Sequence, residues 1–153
     1  MTSVDTASVS SFAQLEKAFF LLSEVNRKHH EYIKTKHKIN GLEMEIIQLI
    51  ELEGKKKMKE IGQYFNVKLS TLTSIIDKIE KQRLVKRVNS HDDRRVVFLE
   101  VTKKGKKLYQ DYMDHIKLIS NMIREEMAEE EITALVNGLD TMSQYVEGNS
   151  LSS

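Results

Sequence analysis

The chain has 153 residues, 40% of them hydrophobic and 31% charged, with a formal net charge of +1. That balance describes one globular domain's worth of chain with enough apolar surface for a core, and it excludes a disordered or membrane-embedded class. There is no cysteine and no proline, so disulfides and thiolate metal sites are ruled out, a reducing cytoplasm fits, and Gly, Asn, Asp and Ser must mark the element boundaries.

Residues 1–10, MTSVDTASVS, have no basic region ahead of an apolar run. They are expected to be a flexible polar tail and not a secretory signal. Over residues 12–34 a helix is predicted, because Phe12, Leu15, Phe19 and Leu22 follow the 3-4-3 spacing of a coiled-coil seam. Phe20, Leu21 and Val25 widen that apolar surface beyond what one neighbour would cover. A second helix is expected after Asn40, whose side chain can cap the free N–H groups, and it should stop near Gly54. A short helix over 58–65, a turn at 66–69 and a helix from Ser70 to about Gln82 then form a helix-turn-helix pattern.

Residues 84–88 and 95–101 are β-branched with partial alternation, separated by turn formers, and predict a hairpin with a long tip. Thr102 is placed to cap a further helix through Leu108, Tyr112, Ile116 and Ile123. A last helix is expected over 129–146, with Ile132, Leu135, Leu139 and Met142 on one face. The fold class is mainly α with a small β-hairpin wing: a winged helix-turn-helix lobe over 39–107, flanked by helices at 11–38 and 108–148.

The small net charge conceals a segregation. Residues 55–107 hold 16 Lys/Arg against 6 Asp/Glu, a net of +10, while the remainder carries a net of −9. A contiguous basic segment between acidic flanks predicts contact with nucleic acid, the alternative for any single run being a solvated face. With its apolar stripe turned inward, the helix from Ser70 exposes Ser70, Thr71, Thr73, Ser74, Asp77, Lys78 and Lys81. Small hydroxyls permit close approach to base edges and threonine methyls can meet thymine methyls; capping is the plainer role for Ser70. Lys78 and Lys81 suit phosphate. Lys57, Lys103 and Lys104 stand at helix starts, where cations oppose the macrodipole and an anion would meet ammonium and backbone N–H groups together.

At the hairpin tip Asp92 and Asp93 precede Arg94 and Arg95. Aspartates there would be repelled by DNA, so Asp93 is expected to orient an arginine, and arginine suits a narrow electronegative minor groove. An ordinary surface ion pair is the alternative. His29, His30 and His37 cluster with Glu31, yet His30-Glu31 lacks the second histidine of a zinc-protease helix. No metal, cofactor or catalytic constellation is expected, and the enzyme reading has no motif behind it.

These residues resemble the MarR (multiple antibiotic resistance regulator) family of winged-helix regulators. The resemblance covers roughly residues 39–108 and rests most on STLTSIIDKIEKQRLVKR, the DRR of the wing, and VTKKGKKL. It implies a homodimer through the terminal helices, with Phe12, Leu15, Phe19, Ile132, Leu135, Leu139 and Met142 at the interface. It also implies binding to palindromic double-stranded operators, usually as a repressor released by a phenolic or lipophilic effector. Base readout then falls on Thr71, Thr73 and Ser74. The wing set is His91, Asp93, Arg94 and Arg95, with either arginine in the minor groove. His29, Tyr32 and Tyr112 are candidates for an effector pocket, core or dimer packing being the alternative. The chain departs from the family pattern where glycine usually stands, at Gln82 or Arg83, predicting a differently shaped turn. Ser90-His91 replaces the proline often found before the wing acids. A protein-interaction module that keeps the fold without binding DNA is the competing reading.

Overall fold

The computed structural model describes residues 4–90 and 96–150. Six helices and three short strands occur among them, in two compact units that divide between Gln110 and Asp111. The first helix, α1, runs Val4–His37, so most of the segment expected as a tail is helical instead. Residues 4–10 contain neither Gly nor Pro, and extending an existing helix costs far less than starting one.

Helix α2, Gly41–Glu53, is set by a capping box. Asn40 Oδ1 accepts the Glu43 N–H at 2.9 Å, and the Glu43 carboxylate accepts the Asn40 N–H at 2.9 Å. Met44, Ile46, Ile47, Leu49 and Ile50 are all buried, so α2 is apolar nearly all round and forms the centre of the first unit. Each such side chain contributes roughly 1.5–3 kcal/mol by leaving water.

Helices α3, Met58–Tyr64, and α4, Leu69–Lys81, pack against each other, and their Ile61, Leu72, Ile76 and Ile79 are fully buried. The turn between them is a Schellman motif: the Val67 N–H reaches the Gly62 carbonyl at 2.9 Å while Asn66 takes φ 50°, a conformation that asparagine tolerates. The predicted hairpin is present as β2, Val85–Asn89, and β3, Val97–Val101, antiparallel, with Val85 opposite Val101. A third strand, β1 at Lys56–Lys57, pairs with the other edge of β3, giving the order β1-β3-β2. Two residues carry no alternation, so β1 had no periodic signal.

Helix α5, Lys103–Glu126, begins as expected at Thr102, whose Oγ1 accepts the Gly105 N–H at 3.1 Å. Its first turns belong to the first unit. There Gly105 is required by close approach, since a Cβ would lie 2.1 Å from the Leu84 carbonyl oxygen. The second unit holds the rest of α5 and α6, Glu129–Ser150. Among the described residues no helix is long and apolar enough to cross a membrane.

Candidate nucleic-acid interface

Helix α4 is amphipathic. Leu72, Ile76 and Ile79 face the core, and Ser70, Thr71, Thr73, Ser74, Asp77, Lys78 and Lys81 are all exposed. The N-cap is Lys68, which makes no side-chain cap, so Ser70 stands inside the first turn and does not do the capping. Thr73 Oγ1 donates to the Leu69 carbonyl at 2.8 Å and Ser74 Oγ to the Ser70 carbonyl at 3.2 Å. With their protons directed along the helix, both oxygens turn lone pairs outward, and rotation of either hydroxyl exposes a donor.

The basic residues divide into engaged and open ones. Lys78 does not extend outward: its Nζ donates to both carboxylate oxygens of Glu43 at 2.7 and 2.9 Å. Lys104, expected on phosphate, donates to the Gln82 carbonyl at 2.8 Å, where a cation complements the negative end of α4. Lys57 sits with its ammonium 5.7 Å from the centre of the Phe98 ring, and its backbone N–H is held by Glu60 at 2.7 Å. Lys81, Lys103 and Lys107 are exposed. The neighbours Lys56, Lys86 and Lys106 pair with Glu53, Glu100 and Glu51 at 2.8, 3.3 and 3.4 Å.

Arg87 on β2 was missed by the sequence reasoning. Its guanidinium donates to Asp77 Oδ1 at 2.6 Å and to Glu80, and its backbone N–H donates to Glu80 Oε1 at 3.0 Å. The hydrogen bond to Asp77 chiefly holds the Arg87 pKa above its ordinary value. Both acids of α4 are thereby paired, and the helix is tied to the wing. Carboxylates at i and i+3 in an otherwise basic segment were the available signal, but nothing local names an arginine ten residues on as their partner.

The turn after α4 keeps its left-handed residue. Arg83 itself takes φ 61°, with its N–H on the Glu80 carbonyl at 2.8 Å and the Leu84 N–H on the Ile79 carbonyl at 2.9 Å. That is a complete Schellman motif, so replacing glycine leaves an arginine in a conformation glycine favours and does not reshape the turn. The strands of the wing converge with the Ser90 N–H on the Val96 carbonyl at 2.9 Å. His91, Asp93, Arg94 and Arg95 lie outside the described residues.

On α1, His29 and Tyr32 are half-buried, and Tyr32 accepts a hydrogen bond from Lys36 at 3.0 Å. The cleft of about 470 Å³ beside the start of α2 is lined by His30, Asn26, Lys34, Asn40 and Gly41, among others, and not by His29 or Tyr32. Tyr112 belongs to the second unit. Phe12, Leu15 and Phe19 on α1 are exposed, as are Leu135 and Leu139 on α6, while Ile132 and Met142 are half-buried.

Two short helices across a left-handed turn, an exposed hydroxyl-bearing second helix and a β-hairpin behind it define a winged helix-turn-helix protein of the kind that reads DNA. The family model "Transcriptional regulator SarA/Rot" matches residues 28–112. The transcriptional regulator MhqR of Bacillus subtilis is 32% identical over 120 residues, which span 76% of this chain and 82% of that protein. The chain belongs to the SarA/Rot family, within the MarR-type winged-helix group, and is a DNA-binding transcriptional regulator. Among solved structures it is similar to Streptococcus pneumoniae FabT in complex with DNA, 25% identical, covering 94% of this chain and 99% of that one with a TM-score of 0.71. A MarR family protein from Bacillus stearothermophilus shares the fold at 22% identity and a TM-score of 0.76, over 90% of this chain and 96% of its own.

Proposed function

We propose that the protein works in the cytoplasm as a homodimer that represses transcription from palindromic operators. The observation that carries this reading is the exposed side of α4, where Thr71, Thr73 and Ser74 are all exposed while Leu72, Ile76 and Ile79 are fully buried. Such a helix fits the major groove, where hydroxyls and methyls can read base edges. Lys57, Lys81 and Lys103 serve as phosphate contacts, which fix register without reading sequence. At the wing, Arg94 or Arg95 is assigned to the minor groove, and Asp93 and His91 to the same contact set.

Dimerisation is assigned to residues 11–38 and 108–148. Support comes from apolar side chains that one chain leaves in water: Phe12 is 65% exposed, Phe19 53% and Leu135 47%. Large apolar side chains left exposed along a helix in this way mark an interface. A two-fold dimer carries its two reading helices about one DNA turn, ~34 Å, apart. Release is assigned to a small phenolic or lipophilic effector, with His29 and Tyr32 as candidate contacts in the first unit and Tyr112 as a separate candidate in the second.

Selection of bound fragments from the organism's genome tests the reading. Enriched fragments should share an inverted repeat with half-sites one helical turn apart, and fragments without a common repeat would refute operator recognition.

A further inference from the structure

Glu43 is the one buried acid among the described residues that does two jobs. It is 2% exposed, and a carboxylate so far from water must be paired and hydrogen-bonded to remain charged. One oxygen closes the capping box of α2 on the Asn40 N–H at 2.9 Å, and both oxygens accept from Lys78 Nζ at 2.7 and 2.9 Å. The Lys78 side chain is 49% exposed, yet its ammonium ends on this nearly inaccessible acid. Two of its three donors are used there, and its charge is matched by one that cannot move away.

From this geometry we infer that Lys78 is a positioning residue: its bond to the buried Glu43 carboxylate holds the recognition helix in register on α2, and it does not bind phosphate. The pair joins the capped, rigid start of α2 to the third turn of α4, thirty-five residues on. On the other side of α4, Arg87 grips Asp77 and Glu80. The reading helix is therefore held from two directions, and Thr71 and Thr73 approach the bases at an angle those grips set. The inference rests on α4 being the helix that reads DNA.

The two roles of Lys78 predict opposite signs for one substitution. Glu43→Gln keeps an oxygen for the Asn40 N–H but releases the lysine. If Lys78 positions α4, Glu43→Gln weakens operator binding; if Lys78 were a phosphate contact, the freed charge would tighten it. The experiment measures operator affinity across a salt series for the intact protein, Glu43→Gln, Lys78→Met and the double variant, with circular dichroism confirming fold at the assay temperature. We expect each single change to weaken binding roughly tenfold, the double variant to be no worse than the weaker single, and the salt slope to stay unchanged. A slope shallower by about 0.9 for Lys78→Met, the loss of one phosphate contact, would overturn the inference. So would tighter binding by Glu43→Gln, or effects that simply add. If Glu43→Gln does not fold, the slope and affinity of Lys78→Met decide alone. A Thr71→Val, Thr73→Val variant separates the underlying reading: if it distinguishes operator from random duplex as the intact protein does, α4 is not the reading helix and the clamp has nothing to position.

Discussion

Replacing Gly105 by alanine should destabilise the first unit by about 2 kcal/mol. The added Cβ would fall 2.1 Å from the Leu84 carbonyl oxygen and 2.6 Å from Val101 Cγ1. One of those atoms is backbone and the other lies on a buried strand residue, so neither yields without moving the start of α5 away from β3. The Leu84 oxygen accepts the Thr102 N–H at 3.0 Å, while the Thr102 hydroxyl donates to the Arg83 carbonyl at 2.6 Å. Losing the bond to Leu84 costs about 1 kcal/mol. Overpacking costs a further 1–3 kcal/mol or so, and alanine's better helix propensity returns about 1. Urea unfolding at a fixed protein concentration measures the difference, because association adds to apparent stability. The transition midpoint should fall with the slope unchanged. A midpoint equal to or above that of the intact protein would refute the close approach.

Arg87→Met removes the shared partner of Asp77 and Glu80 and leaves two unpaired carboxylates on α4, the helix proposed to read DNA. Operator binding should weaken roughly tenfold, whereas thermal stability should drop by only about 1 kcal/mol because the pair is partly solvated; filter binding alongside a melting curve checks both. Polar substitution at Phe19 and Leu135 together should shift the protein toward monomer in sedimentation, since roughly 1.5–3 kcal/mol of burial per side chain is lost from each protomer. Arg94→Ala with Arg95→Ala should weaken operator binding strongly and leave the sedimentation coefficient unchanged; undiminished affinity would remove the wing from the interface.

Elements built on long periodic patterns were legible. The stripe Leu72, Ile76 and Ile79 gave α4, and the Asn40 cap gave the start of α2, because both signals are local and repeat at the helical period. The exposure of Thr71, Thr73 and Ser74 followed from the same stripe. Helix ends were harder, because this chain places Lys38 and Arg83 in the left-handed conformation where glycine would have announced the stop. Strand β1 was invisible because its pairing comes from β3, more than forty residues away. The lysines show the limit most clearly. Sequence position put Lys78 and Lys104 among the phosphate contacts, but their partners, Glu43 and the Gln82 carbonyl, lie on other elements. Charge at a helix start says where a cation is, whereas only tertiary packing says what it is bonded to.

The dependence of operator affinity on salt tests the central claim most directly. If Lys57, Lys81 and Lys103 contact phosphate on each of two protomers, as proposed, six contacts should make log affinity fall against log salt with a slope of about −5 or steeper. A slope near zero, with affinity held across the series, would contradict a DNA-reading dimer and favour a winged-helix surface that binds protein.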